Sequence, residues 1–421
     1  MCTQRDIFRR ERFGGFYYSR RSRETIAFPL DYTDFLIETT RRPAGQVLAE
    51  ERDRYAAIRE CWEQTGEQWQ RDGILDPARV CQARVVVNQP PPGVLGAPLA
   101  TSFEITERCN LRCRHCYVER DAKPLPAVSV AALERAFAQL DGAGSPAITL
   151  SGGEPLLRQD VWDILDRARQ HHLEIKFCTN ANLVDAAAAR RLVEYPIHTF
   201  SISLDGGTPE SHDQMRGAGN FEQVARGVRA LRDAGAAKIM LRVTVTASNL
   251  ATLSDFAAVG DHWGVDAISF RPYRFNGAAI DSTLLVARST YDLAVRRLEL
   301  GWQGRCRGIF GQSLTTRAPG FAAYIPRFGC NGGHGTLAVK ADGAVVACAT
   351  VRMADDWNLE QHSLLDCWYR APSIARWRQL QAPARCRACA SLDLCGGGCR
   401  ARALALRQGI DGPDPWGCTE A

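Results

Sequence analysis

The stretch TSFEITERCNLRCRHCYVE, Thr101–Glu119, decides both the fold and the chemistry to be expected of this chain. Its opening TSFEIT is a short β-prone run, and Cys109, Cys113 and Cys116 follow directly in a CxxxCxxC arrangement. Three thiolates this close can hold a cuboidal iron–sulfur cluster while leaving one of its irons without a protein ligand. A structural zinc site is the alternative, with His115 as the fourth ligand that a closed tetrahedral site requires. Outward from this stretch, VSVAALERAFAQL, AITLS, VWDILDRARQH, EIKFCTN, AAAARRLVEY, TFSISLD, FEQVARGVRALRDAG, KIMLRVTVT, LSDFAAVGDHWG and AISFRPYRF alternate apolar β-like runs with amphipathic helical ones. About six such repeats between Thr101 and Phe275 predict parallel strands with crossover helices, an α/β fold closed into a partial or full barrel. A barrel gathers its chemistry at the C-terminal ends of the strands, so site residues are expected in the loops that follow them.

Sixteen of the 421 residues are cysteine. A chain of this length buries a core without cross-links, so the cysteines need another explanation. Met1 to Arg12 is polar and charged, unlike a signal peptide, and no uninterrupted apolar run reaches the roughly 18 residues of a membrane span. A cytoplasmic protein away from membranes is expected, in which closely spaced thiols are metal ligands or redox groups before they are disulfides. The formal charge of +5 is small, and much of the excess lies in Arg9, Arg10, Arg12, Arg20, Arg21 and Arg23, so no nucleic-acid partner is expected.

The segment VNQPPPGVLGAPLA, Val87–Ala100, lacks periodicity and predicts a linker. Before it, FGGFYYSRRSRETIAFP offers two β-prone runs around a Ser19–Arg23 turn, followed by helical stretches near Asp31–Thr40 and Glu50–Gln70. From about Cys330 the sequence turns cysteine- and glycine-rich, which predicts a domain organised by metal rather than by an apolar core. Expected boundaries are therefore 1–86 for a front module, 87–100 for the linker, 101–275 for the barrel, 276–327 for a bridging region and 328–421 for the C-terminal domain.

The triad, with His115 in the aromatic position of CxxxCxΦC, resembles the signature of the radical SAM superfamily. That resemblance implies a 4Fe–4S cluster whose open iron is chelated by S-adenosylmethionine, reductive cleavage of the sulfonium, and a 5′-deoxyadenosyl radical that abstracts hydrogen from substrate. A second match is ITLSGGEPLLR, which gives Gly152, Gly153, Glu154 and Pro155 after the second strand, where glycines permit close backbone approach and a carboxylate can receive the methionine ammonium. By resemblance, His115, Thr179, Asn180, Ser201, Ser203, Asp205 and Arg216 also lie against the cofactor. Arg271, Tyr273, Arg274 and Asp205 are candidates for acid–base or substrate-positioning work.

Cys386, Cys389, Cys395 and Cys399 in CRACASLDLCGGGC, with Cys330, Cys348 and Cys418, resemble the SPASM domain, which in relatives holds two auxiliary 4Fe–4S clusters, for three in all. Carried over by position, Cys330, Cys348 and Cys399 serve the first auxiliary cluster, and Cys386, Cys389, Cys395 and Cys418 the second. The first lacks a fourth ligand: Tyr324 stands where some relatives have cysteine, and Cys306, Cys367, a substrate thiolate or an open iron are the options. Cys61, Cys81 and Cys178 are expected as buried free thiols. Ala349 occupies the place of the aspartate base of sulfatase-maturating relatives, which argues against their reaction. The front residues IFRRERFGGFYYSRRSRETIAFPLDYTDFLIETT resemble a PqqD-like peptide-recognition domain, winged-helix-like, with a generic nucleic-acid-binding winged helix as the alternative. The resemblances together imply a peptide maturase that captures a precursor's leader at its N-terminal domain, draws electrons from a reductant such as flavodoxin or ferredoxin, and forms a carbon–carbon or thioether cross-link or excises a backbone fragment. Modification of a tetrapyrrole is the rival enzyme reading, and a non-catalytic electron carrier or scaffold the rival of another class.

Overall fold

The computed structural model describes residues 6–21, 23–60, 78–118, 126–273, 281–310, 330–390, 392, 397–406 and 409–416. Cys61, Arg274, Tyr324, Cys395 and Cys418 lie outside the described residues. The chain divides into two compact units, the first comprising the described residues as far as Pro98 together with Gln139–Pro146, the second the remainder. No helix among the described residues is long and apolar enough to cross a membrane.

The first unit is built on a four-stranded sheet, β1 Ile7–Glu11, β2 Gly14–Ser19, β3 Glu24–Pro29 and β4 Arg84–Val87, in the order β3-β2-β1-β4. The first three form an antiparallel meander, and β4 joins parallel to β1. Helices α1 Leu30–Glu38 and α2 Ala44–Glu50 bury Phe35, Leu36 and Val47 with Phe8, Tyr17 and Tyr55. Gly14 has φ +146°, and a Cβ there would lie 2.0 Å from the Phe28 carbonyl oxygen, so only glycine lets β2 begin so close to the end of β3. The two predicted β-runs are β2 and β3. Strands β1 and β4 escaped the sequence reading because IFRRE looks too polar for a buried strand, yet Arg9 and Glu11 are both 1% exposed and paired with each other at 2.9 Å.

That pair also corrects the linker. The Gly96 amide donates to Glu11 at 2.8 Å and Arg9 Nη2 donates to the Ala97 carbonyl at 3.1 Å, so the proline-rich segment is pinned to β1. Val87 already belongs to β4 and Ala100 to the next strand. The basic face shrinks as well, since Arg9 is spent on Glu11 and Arg10 on Asp34 at 2.7 Å.

The second unit contains a ten-stranded sheet. Its centre is six parallel strands in chain order, β5 Ala100–Glu104, β6 Ala147–Ser151, β7 Glu174–Thr179, β8 Ile197–Ser203, β9 Ile239–Val245 and β10 Ala267–Pro272, which are the six predicted repeats. The crossovers are α3 Val130–Gly142, α4 Val161–Ala168, α5 Ala186–Leu192, the pair α6 Pro209–Arg216 and α7 Asn220–Asp233, and α8 Asp255–His262. After α9 Arg288–Leu300, β11 Arg307–Ile309 adds to β10; at the other edge β12 Thr336–Val339 runs parallel to β5, followed by antiparallel β13 Ala344–Val346 and β14 Trp357–Asn358. Successive side chains leave a strand on opposite faces. One face buries Phe103, Leu150, Phe177, Phe200, Leu241 and Phe270. Its opposite carries Ser102, Thr149, Lys176, Ser201, Arg242 and Ser269. A parallel sheet buried on both faces reads as continuous apolar runs, so this polar face is reserved for something other than core.

The C-terminal segment departs from its expectation. Rather than relying on metal alone, it continues the main sheet through β12, and α10 Leu364–Arg370 and α11 Pro372–Gln379 bury Leu364, Trp368, Ile374 and Trp377 in an apolar core. A last helix, α12, spans Arg400–Ala405. In the first unit, Phe35 is fully buried and makes an edge contact with Tyr55. Phe35→Ala is expected to destabilise that unit by about 3–5 kcal/mol, read as lost hydrogen-exchange protection of the β1–β3 amides.

Candidate functional site

The loop after β5 carries Cys109, Cys113 and Cys116 and is fastened from several sides. The Arg114 amide donates to the Met215 carbonyl at 3.1 Å, and the Cys116 amide to the Cys113 carbonyl at 3.2 Å. Around the sulfurs stand N–H donors suited to thiolates: Leu111 N lies 3.5 Å and Asn180 Nδ2 3.8 Å from Cys109 Sγ, and Arg216 Nη1 3.5 Å from Cys113 Sγ. Burial pushes the Cys113 thiol's pKa up; Arg216 opposes this, while Asp205, Cys116 and Cys109 reinforce it. The Cys113 thiol keeps its proton until a cationic centre draws it off. Among the described residues no three His, Cys, Asp or Glu side chains converge tightly enough for a single ion.

The glycines of GGEP serve this loop. The Gly153 amide donates to the Thr106 carbonyl at 2.7 Å and the Glu154 amide to the Arg108 carbonyl at 2.8 Å. A Cβ on Gly152 would lie 2.3 Å from the Thr106 oxygen and one on Gly153 2.3 Å from the Arg108 oxygen. Pro155 opens a buried 3-10 turn, and the wholly buried Glu154 carboxylate accepts from Thr179 Oγ1 and the Asn180 amide, both at 2.8 Å. Burial raises its pKa to about 7 against these hydrogen bonds.

Across the cavity, Asp205 is 0% exposed and accepts from Arg216 Nε at 2.6 Å and the Thr244 amide at 2.9 Å. Burial alone would raise its pKa, but Arg216, His115 and the Thr244 amide bring it down to about 2. This enclosed carboxylate is committed to the Arg216 guanidinium and the Thr244 amide. His115 Nε2 lies 3.4 Å from Asp205, burial holds the imidazole neutral with a pKa of about 4, and its buried Nδ1 has no hydrogen-bond partner. Sequence reasoning missed the supports of this network. His212 Nδ1 accepts the Asp205 amide at 3.1 Å, and Asn249 Nδ2 donates to the carbonyls of Asp205 and Thr244 at 2.7 and 2.8 Å. The signal for His212 was present, since it stands four residues before Arg216 on one helix face.

The cysteine triad, His115, Gly152, Gly153, Asn180 and Arg216 border a cavity of about 350 Å³ that also takes in Ser201, Ser203, Arg271 and Tyr273. Arg271 Nε donates to Ser269 Oγ at 3.0 Å, and Tyr273 is 4% exposed beside Met215 and Leu284. Ala349 and Thr350, from the segment after Cys348, reach the same cavity. So does Cys178, expected as a buried thiol but half-buried on the polar face of β7.

Cys330, Cys348 and Cys399 form a second group: burial raises the Cys330 pKa to about 11, reinforced by the other two thiols. Trp377 Nε1 has no partner at bonding distance but lies near enough to favour the Cys330 thiolate, as does the Gly332 amide. Neither Cys306 nor Cys367 joins them. Cys306 is buried against Gly260 and feels Asp261 and Asp266, and Cys367, fully buried in α10, feels Asp366. Cys386 and Cys389 share one turn, the Cys389 amide donating to the Cys386 carbonyl at 3.1 Å; Cys395 and Cys418, expected beside them, are outside the described residues.

Residues 103–254 match the family model of the radical SAM superfamily. The mycofactocin maturase MftC of Mycobacterium ulcerans is 30% identical over 334 residues, 76% of this chain and 88% of that protein. The AdoMet-dependent heme synthase of Nitratidesulfovibrio vulgaris is 28% identical over 72% of this chain and 88% of that protein. Among solved structures, Streptococcus suis SuiB bound to its precursor peptide SuiA superposes with a TM-score of 0.75 at 15% identity, covering 99% of both chains, and so shares the mixed α/β fold.

Asp205→Asn is expected to cost about 3–5 kcal/mol by stranding a buried guanidinium, measured by urea unfolding. Adding Arg216→Gln should recover part of that loss, as coupled partners do in a double-mutant cycle. Family model, relative and fold agree with a triad loop at the head of a parallel sheet, and the chain belongs to the radical SAM superfamily, whose members use S-adenosylmethionine and a 4Fe–4S cluster.

Proposed function

We propose that this radical SAM enzyme modifies a ribosomally synthesised precursor peptide whose leader is captured by the N-terminal unit. The observation that carries this reading is the small sheet of that unit, a PqqD-like module in which β3 is an edge strand with half-buried Thr25, Ile26 and Ala27. An extended peptide can add to such an edge through backbone hydrogen bonds while neighbouring pockets read its side chains. Two similarities support it: MftC is named as a maturase, and SuiB was solved with a precursor peptide. Exposed Arg12 and Arg21 suit an acidic leader.

The residues present fit the family's cofactors on three counts: a triad of mutually interacting thiols, a glycine-built crossing beneath it, and an orphaned buried imidazole nitrogen facing it. Cys109, Cys113 and Cys116 are assigned to the cluster. Gly152, Gly153, Glu154, Pro155, His115, Asn180, Ser203 and Arg216 are assigned to S-adenosylmethionine, with Asp205 holding Arg216 in place. When bound, the pair supplies one-electron cleavage to methionine and a 5′-deoxyadenosyl radical. Glu154 would receive the cofactor's ammonium group, and the Asp205–Arg216 pair would hold the wall opposite. Arg271 and Tyr273 remain the candidates for touching substrate. Cys330, Cys348 and Cys399 are assigned to one auxiliary cluster, in a partial barrel extended by a SPASM domain. Cys386, Cys389, Cys395 and Cys418 are assigned to the other. Both clusters would pass an electron away from the substrate, with a flavodoxin or ferredoxin as external reductant. Cross-linking is favoured over backbone excision.

Glu154 gives the cofactor assignment a pH signature. Its pKa of about 7 leaves it protonated below that value and anionic above, so affinity for S-adenosylmethionine should fall as pH drops through 7 and level off above it. Glu154→Gln should bind at least tenfold more weakly and flatten the profile, as calorimetric titration would show. The function itself is tested by co-expression with the short open reading frames flanking the gene and mass spectrometry of their products. A loss of two hydrogens is expected for a cross-link and a larger loss for excision; unmodified peptides throughout would contradict the proposal.

A further inference from the structure

The polar face of the sheet carries Arg242 and Lys176 beside Arg271. Arg242 on β9 opens into the cavity that Cys109 and Cys113 border, and Arg271 on β10 lines the same cavity. Lys176 on β7 shares that face of the sheet. Burial lowers the pKa of its ammonium; Cys178 opposes this, while Arg242, Arg271 and Lys238 reinforce it, so these side chains are near neighbours. Among the described residues, no carboxylate lies within 4.0 Å of Arg242 or Lys176.

The three buried carboxylates beside the cavity are all engaged elsewhere. Glu104 pairs with Lys340 at 2.5 Å and accepts from Tyr117 at 2.7 Å; Asp205 holds Arg216; Glu154 accepts from Thr179 and Asn180. Exposed Arg242 and half-buried Arg271 therefore give one wall of the cavity an unbalanced positive charge among the described residues. A guanidinium is the side chain best matched to a carboxylate.

We propose that Arg242, backed by Lys176 and Arg271, holds a carboxylate of the substrate peptide, so that the modified residue is acidic, adjoins an acidic residue or is the C-terminal residue. This inference rests on the peptide reading above and specifies the chemistry its substrate must present. The anion is placed in the same cavity as the cysteine triad, within reach of the chemistry there.

The test uses the full-length enzyme reconstituted anaerobically and follows 5′-deoxyadenosine formation with degenerate pools of short synthetic peptides. One pool contains Asp and Glu, a second replaces them by Asn and Gln, a third by Lys, and each is supplied as the free acid and as the C-terminal amide; coproporphyrin is a separate arm. Wild-type enzyme is expected to respond about tenfold more to carboxylate-bearing peptides than to amidated Asn/Gln peptides, as loss of a charge-assisted pair implies. The free-acid and amide arms separate a C-terminal carboxylate from a side-chain one. Arg242→Gln should bring the ratio close to one, and Arg242→Glu should shift the preference to the Lys pool, a reversal that misfolding or a damaged cofactor site does not produce. Equal, measurable responses of wild-type enzyme to the acidic pool and to the amidated Asn/Gln pool would overturn the carboxylate assignment. A response to coproporphyrin and to no peptide pool would instead overturn the peptide reading.

Discussion

The site is organised around one fully buried ion pair, Asp205 with Arg216. A guanidinium and a carboxylate removed from water are stable only when their remaining donors and acceptors are met, and this pair meets them by joining elements distant in sequence. Asp205 follows β8 and takes the amide of Thr244 from β9; Arg216 ends α6 and turns another nitrogen toward Cys113. His212 and Asn249 then fix the backbone on either side of Asp205. The position of the cysteine loop is thus set by burial and electrostatics as much as by its own short sequence.

A second constraint acts beneath the same loop. Gly152 and Gly153 let two backbones cross at a separation no side chain could share, and amide bonds from Gly153 and Glu154 to Thr106 and Arg108 lock the crossing. The Glu154 carboxylate is carried inward by that turn and held there uncomfortably, with its pKa raised by burial. Such a group gains from a cation, which is the form of stored electrostatic tension that binding sites use.

The six central strands were legible because each alternates with an amphipathic helix and presents an apolar face, and the triad and GGEP were legible because local spacing carries their chemistry. What escaped was long-range pairing. Strand β1 hid behind Arg9 and Glu11, which neutralise each other only in the fold, and the proline-rich segment passed for a linker because its bonds to those two residues lie 85 and 88 positions away. The pairing of Asp205 with Arg216 escaped for the same reason, since both residues were visible but their burial together was not. Cys306 and Cys367 looked available by sequence proximity, whereas the fold buries Cys306 against Gly260 and Cys367 within α10. The cationic wall on β7, β9 and β10 was likewise invisible until register aligned three separate strands.

The central claim is that the loop after β5 is the seat of S-adenosylmethionine chemistry. It is tested most directly by reconstituting the full-length protein anaerobically with iron and sulfide, reducing it, and measuring methionine and 5′-deoxyadenosine. The account predicts both products in equal amounts from the wild-type protein and neither when Cys109, Cys113 and Cys116 are together replaced by alanine. Absence of cleavage by fully iron-loaded wild-type protein, or undiminished cleavage by the triple variant, would contradict it.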